Sequence, residues 1–442
     1  MNMRVTKTFV RFMLVGIVML LVGGLVAWYL FLRAQVSTIT AQDAARGYGA
    51  AAAPAQDAVR DAYNAIVSGI SSFVGAGTTT VSAGAQLWHI TKTPVAGMGF
   101  VGSGASEKLR FAERATGYLF EVDPRGGAVA RLTNRLFPKT YEAVFSRDGS
   151  VILRSQDERG GITSFAGTVA SSSSEAPDAR TLAGAYLARG IRAVAPGASP
   201  RELLYLTLDQ GGGTTVIRSL WDGSSPKKVF SSPLSDWKLI ALSDGRIFLA
   251  QSPADDVAGY AYEIKGGALV PQAGGAPGLT FLPRAASSAA LFGGSGGGAL
   301  AFSVRARADA APVALPIKTV ADKCVWVPPQ PAPAKSKNTK AAQAAGPQIA
   351  YCAVPQYIPS TRFLNDWYRG AVHVADSWWR IDASSGDVEL VPASGAANES
   401  FDVEGPVIDD SGSMIAFMNA ADKTLWLLRL GTDANSASTT PR

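Results

Sequence analysis

Cysteine and histidine are scarce, with two of each in 442 residues. Two cysteines exclude a disulfide-knit scaffold and a cysteine-rich zinc array. His89 and His373 lie far apart in the chain and leave little material for histidine-based catalysis or metal binding. Charged residues make up only 17% of the chain, against 47% hydrophobic, a balance that excludes wholesale disorder. No D-x-D-x-D-G loop occurs, so an EF-hand-type calcium site is absent. The glycine-rich stretch 293–299 has no following Lys-Ser/Thr pair or helix; it reads as a hairpin loop and not as a phosphate loop. No metal and no cofactor is expected.

Charge of one sign is also less abundant than the net +6 suggests. Residues 1–40 carry four cations and no anion, and residues 329–346 add Lys335, Lys337 and Lys340. The remaining body is close to neutral. The excess is therefore local, and a nucleic-acid partner is not expected.

One long apolar run is present. Phe12 to Leu32 is 21 residues without a charge, which at helical rise covers roughly 30 Å, a bilayer's hydrocarbon thickness. Arg4, Lys7 and Arg11 precede it and Arg33 follows, so the positive-inside rule places the N-terminus in the cytoplasm and the bulk of the chain outside. Trp28 and Tyr29 stand where amphipathic rings favour the outer interface. A cleavable signal peptide is the rival reading, but this run is longer than a signal core and ends in bulky residues. The expectation is a single-pass anchor in the plasma membrane over residues 1–33, with the lipid bilayer as first partner.

Residues 34–85 are rich in Ala, Gly, Ser and Thr and read as a spacer. Within it, Pro54–Ile70 could form a short amphipathic helix with Val59, Tyr63 and Ile66 on one face. From Gln86 to Leu430 the chain turns to short β-type runs separated by Gly, Asp, Ser and Pro. A strand, a polar turn and a second apolar strand recur from residues 95, 141, 191, 237, 279, 324 and 406, at spacings of 46, 50, 46, 42, 45 and 82. The first five spacings equal one four-stranded propeller blade; the last is a blade with insertions. Further hairpins follow at 117–133, 214–230, 258–272 and 376–392.

The seventh copy ends at 424–430 with no fourth strand, and 431–442 is a polar tail. The run 86–95 resembles the blade-to-blade join at 130–140, so the N-terminal strand is expected to complete blade seven. The expected fold is all-β: a seven-bladed propeller closed by its own N-terminal strand and preceded by one transmembrane helix.

The S-x-D-G turns (Ser146, Asp148, Gly149; Ser243, Asp244, Gly245; Ser411, Gly412) and the joins at Ile90–Thr91 and Leu132–Thr133 resemble the WD40-like, TolB-type β-propeller superfamily. The stretches 322–326, 351–355, 366–370 and 401–406 are similar to single-pass-anchored propellers of candidate-phyla bacteria. That resemblance implies a fold and a location outside the cytoplasm, and no activity. The extra N-terminal α/β domain of TolB itself has no counterpart between residues 34 and 85.

Cys324 and Cys352 fall on the first two strands of blade six, which are neighbours. An oxidising compartment would let them pair; buried free thiols are the alternative. The insertion 329–346 reads as a solvated, proline-rich loop. The second insertion, 356–373, interleaves Tyr357, Phe363, Trp367 and Tyr368 with Arg362, Asp366 and Arg369. Its aromatics suit a recognition surface, or else a plug folded over one end of the ring. His373 precedes a strand without a partner near it in sequence, and both histidines read as structural. Asp255–Asp256 and Asp409–Asp410 are adjacent pairs that point opposite ways and make poor acid/base couples. The function expected is a non-catalytic module that binds an envelope protein or polymer. A propeller hydrolase or lyase acting on glycans or peptides is the alternative.

Overall fold

A computed structural model describes residues 85–169, 182–329, 347–394 and 400–431. The apolar run 12–32 with its anchor residues Phe12, Trp28, Tyr29 and Leu32, the spacer to residue 84, nearly all of the lysine-bearing loop and the polar tail lie outside them. Among the described residues no helix is long and apolar enough to cross a membrane.

Seven antiparallel sheets follow one another in chain order, each built from strands a to d. Strand a begins the blades at Val95, Thr140, Ile191, Trp237, Thr280, Cys324 and Val403, within three residues of every start read from the repeat. Strand b is the most buried: Val151–Arg154 and all of Ile349–Pro355 are buried. A strand with a sheet on both sides needs a continuous apolar run, not alternation. The outermost strands are largely solvated, as in Ala268–Pro277.

Seven of the buried apolar clusters each join two consecutive blades. Leu109 and Leu119 in blade one meet Leu427 and Leu153 on either side, and Leu249 in blade four meets Leu204 of blade three. Stability therefore comes from nearest-neighbour interfaces closed into a ring, and each is incomplete without the next. The inner strands of blades one and two approach closely. A Cβ on Gly97 would stand 2.1 Å from the Ala143 carbonyl oxygen, and one on Gly99 would meet Phe145 at 2.8 Å. That contact is the reason for the V-A-G-M-G-F alternation.

Closure occurs as expected. Ala85–His89 pairs antiparallel with Leu425–Arg429, placing Leu87 opposite Leu428 and Trp88 opposite Leu427. A two-residue strand, Ala393–Ser394, adds to its outer edge in parallel. The two joins compared in sequence do the same work: the Thr133 hydroxyl accepts the Leu119 N–H at 3.0 Å, and the Thr91 hydroxyl accepts that of Leu425 at 3.0 Å. Each threonine ties the end of strand d to strand c of its own blade. His89 lies flat on Trp426, ring centroids 4.0 Å apart.

The S-x-D-G turns are also explained. Asp148 accepts the Ser150 N–H and Asp244 that of Arg246, while Gly149 and Gly245 sit at φ of 92° and 88°, a region that costs other residues a Cβ clash. The stretch 293–299 differs from its reading as a loop. Strands Ala290–Gly296 and Ala299–Arg305 run through it, and only Gly297 and Gly298 form the turn.

Candidate functional site

Strands b end, strands c begin and the blade-to-blade joins arrive at the same end of the ring. In blade five the b–c connection is two residues; in blade six it runs from 356 to 375. Within it Phe363–Tyr368 forms a short helix, α1. Phe363, Leu364 and Trp367 fall on one helical face and are buried against Leu300, Val320 and Val374. Burying such side chains is worth about 1.5–3 kcal/mol each. Gly278, at φ 60°, makes room: a Cβ there would lie 2.6 Å from Leu364 Cδ1. The Asn365 N–H donates to Asp255 Oδ2 at 2.9 Å, and Asp255 also accepts from the Ser295 hydroxyl. The Tyr368 hydroxyl donates to Asp322, which pairs in addition with Lys238 of blade four's inner strand. The insertion is thus fastened to blades four, five and six.

Beneath α1 lies a closed ionic cluster. Lys323 Nζ contacts Asp376 Oδ2 at 2.6 Å and Asp402 Oδ1, with all three side chains 0–1% exposed. The Trp367 ring covers the ammonium, its centroid 4.7 Å from Nζ, and its indole N–H donates to Asp402 at 2.9 Å. Asp402 also accepts from the Val374 N–H and contacts His373 Nδ1 at 3.2 Å. His373 has no partner near it in sequence; the fold supplies one, Asp402, 29 residues further on.

Burial pushes the Asp376 carboxyl up to about 6, with the Asp402 charge adding to the rise. Asp402 is held below the ordinary carboxylate range: hydrogen bonding to His373 and the charge of Lys323 outweigh its own desolvation. A carboxyl that binds its proton more tightly folded than unfolded makes the fold lose stability as pH rises, here from about 4 through about 6. Replacing Asp376 by Asn is therefore expected to flatten the fall in urea midpoint between pH 4.5 and 7.5, shifting the difference by about 1–3 kcal/mol in the variant's favour. Parallel pH profiles for the two proteins would contradict this.

The insertion residues separate into two groups. Phe363 and Trp367 are 2% and 8% exposed and belong to the docking face, while Asp366 is half-buried. Asp366 accepts from Ser360 and Arg369, which hold its carboxyl below the usual range. Tyr357 is 73% exposed and Tyr368 42%, and Arg362 and Arg369 are also outward. Cys324 and Cys352 stand directly opposite each other on strands a and b of blade six, Cα atoms 4.0 Å apart, joined as a disulfide next to Lys323.

Sequence reasoning did not single out Lys323, Asp376 or Asp402. One signal was available: each lies within a residue of a strand start at this end of the ring, inside or beside an apolar run that leaves no room for a solvated charge. Asp255 and Asp409 are buried while Asp256 and Asp410 are not, so neither adjacent pair forms a couple. The spacing Gly293-x-Ser295-x-Gly297 matches a nucleophile elbow formally, but Ser295 lies on a hairpin strand with its hydroxyl taken by Asp255. As built, the ionic cluster acts as a latch: two carboxylates share one ammonium in a closed space roofed by Trp367.

The class this fold defines is the seven-bladed β-propeller. No model of a known protein family and no curated protein sequence matches the chain. Among solved structures it is similar to virginiamycin B lyase from Staphylococcus aureus, 12% identical over 78% of this chain and 99% of that one, TM-score 0.43. The β-propeller domain of the Trilobed protease from Pyrococcus furiosus is 11% identical over 80% and 100%, TM-score 0.43. The Swd1 propeller domain from Myceliophteria thermophila is 9% identical over 78% and 100%, TM-score 0.44. These likenesses concern the propeller architecture, and no activity is carried over from them.

Proposed function

We propose that this propeller is a recognition or assembly module without catalysis, held outside the cytoplasm by its N-terminal anchor and binding an envelope protein or polymer through residues 356–373. The observation that supports this reading is the division of labour within the insertion. Phe363, Leu364, Trp367 and the Tyr368 hydroxyl fix α1 to the ring, leaving Tyr357, Arg362 and Arg369 outward and the Tyr368 ring partly exposed. A pre-fixed aromatic and cationic surface loses little entropy on binding.

A photo-crosslinking residue at position 357 is expected to give one discrete adduct in native envelopes, which the Arg362→Ala/Arg369→Ala variant weakens. The same label at Val313, on the outer strand of blade five, is expected to give none. Equal labelling from both positions would contradict the proposal.

The hydrolase or lyase reading draws on the Lys323, Asp376, Asp402 and His373 cluster, whose two carboxyls are pushed apart in acidity. It requires α1 to lift, because Trp367 closes the space. Turnover of a glycan or peptide by the pure protein, abolished in Asp402→Asn, would favour it.

A further inference from the structure

We infer that the cleft between blades one and two is a binding site for an oxyanion carried on a small polar ligand. The cleft has a volume of about 540 Å³, and its lining includes Arg114, Lys139, Tyr141, Gln156 and Ile162. That volume falls in the ordinary range for small-molecule sites. It opens at the end of the ring where strand b of blade one stops and strand a of blade two starts.

Several arginines of the ring are paired: Arg110 with Glu121, Arg154 with Glu142, Arg218 with Glu202 and Arg246 with Asp244. Among the described residues Arg114 and Lys139 have no carboxylate in ion-pair range, and no carboxylate lines the cleft. Three of the nearby acids are engaged elsewhere, and Glu158 is exposed in the turn that follows Gln156. Glu113 accepts from the Thr116 hydroxyl, Glu142 pairs with Arg154, and Asp157 accepts the Arg159 and Gly161 N–H groups.

The Tyr141 hydroxyl is buried without a hydrogen-bond partner. Such a group costs stability unless something binds it. Arg154, itself nearly inaccessible, lies over the Tyr141 ring at 5.5 Å, and it is fixed in turn by the carbonyls of Ile191 and Arg192. Lys139 holds φ 57°, an uncommon conformation for a residue with a side chain. Two unpaired cations and the Gln156 amide in one cleft form a set of donors that a carboxylate or phosphate would satisfy.

The test titrates the full-length protein in detergent with inorganic phosphate, acetate and glucuronate, read by calorimetry. Saturable binding of at least one is expected. The Arg114→Gln/Lys139→Gln variant should weaken it by about tenfold or more, from the loss of charged hydrogen bonds. Arg125→Gln, a change at the opposite end of the ring, should leave it unaltered. Binding of phosphate alone would assign a phosphorylated ligand, and binding of glucuronate and acetate a carboxylate. No saturable binding by any of the three, or binding indifferent to the cleft variant, overturns the inference.

Discussion

Replacing Lys323 by methionine is expected to cost about 3–5 kcal/mol, the range found when one partner of a buried ion pair is removed. The side chains of Lys323, Asp376 and Asp402 are 0–1% exposed, so water cannot take the ammonium's place. Asp402 would keep its Trp367, His373 and Val374 contacts. Asp376 would keep only the Val403 N–H, its Oδ1 already lacking a partner. The loss should therefore be larger at pH 8 than at pH 5, where Asp376 can take a proton. Urea unfolding at the two pH values measures this. A loss below about 1 kcal/mol at pH 8, the scale of an exposed pair, would mean that the cluster is hydrated and does not latch α1.

Removing the closing strand is expected to have the other large effect. A chain beginning at Lys92 lacks Leu87, which sits in the core between blades six and seven, and Trp88 and Ile90, which pack on the core between blades seven and one. Burial of these side chains contributes about 1.5–3 kcal/mol each when complete. The Thr91 hydroxyl that accepts the Leu425 N–H goes with them. Leu425–Arg429 would then be an open apolar edge, a template for pairing between molecules. The expected outcome is a urea midpoint lowered by several kcal/mol in free energy and association visible by light scattering. An unchanged midpoint with a monomeric protein would show that the ring does not depend on this closure.

Much of the ring was legible from the chain because a propeller is a one-dimensional repeat: each blade writes its inner hairpin with the same short vocabulary. The Asp148–Gly149 and Asp244–Gly245 turns are local, and local chemistry is visible in sequence. Closure was legible for the same reason, since Thr91 and Thr133 repeat one hydrogen bond. The cluster under α1 was not legible. Lys323 and Asp402 are 79 residues apart, and only the stacking of blade joins at one end brings them together. The insertion's dual character was half-legible. Its aromatics stood out, but which of them turn inward depends on Gly278 and Asp255, more than 80 residues before α1. Extra length inside a blade is visible in the spacing of 82, whereas its direction of folding is a tertiary property.

The proposed binding role requires α1 to be a fixed part of the ring that carries an outward surface, and amide hydrogen exchange of the intact protein tests this most directly. The Asn365 N–H, bonded to buried Asp255, and the Ala371 N–H, bonded to the Asp366 carbonyl, are expected to be protected by several orders of magnitude, comparably to strand b of blade six. In Lys323→Met that protection should fall while blades two and three keep theirs. Exchange of 363–371 at the rate of an unstructured peptide in the wild-type protein would show that α1 is not a fixed part of the ring.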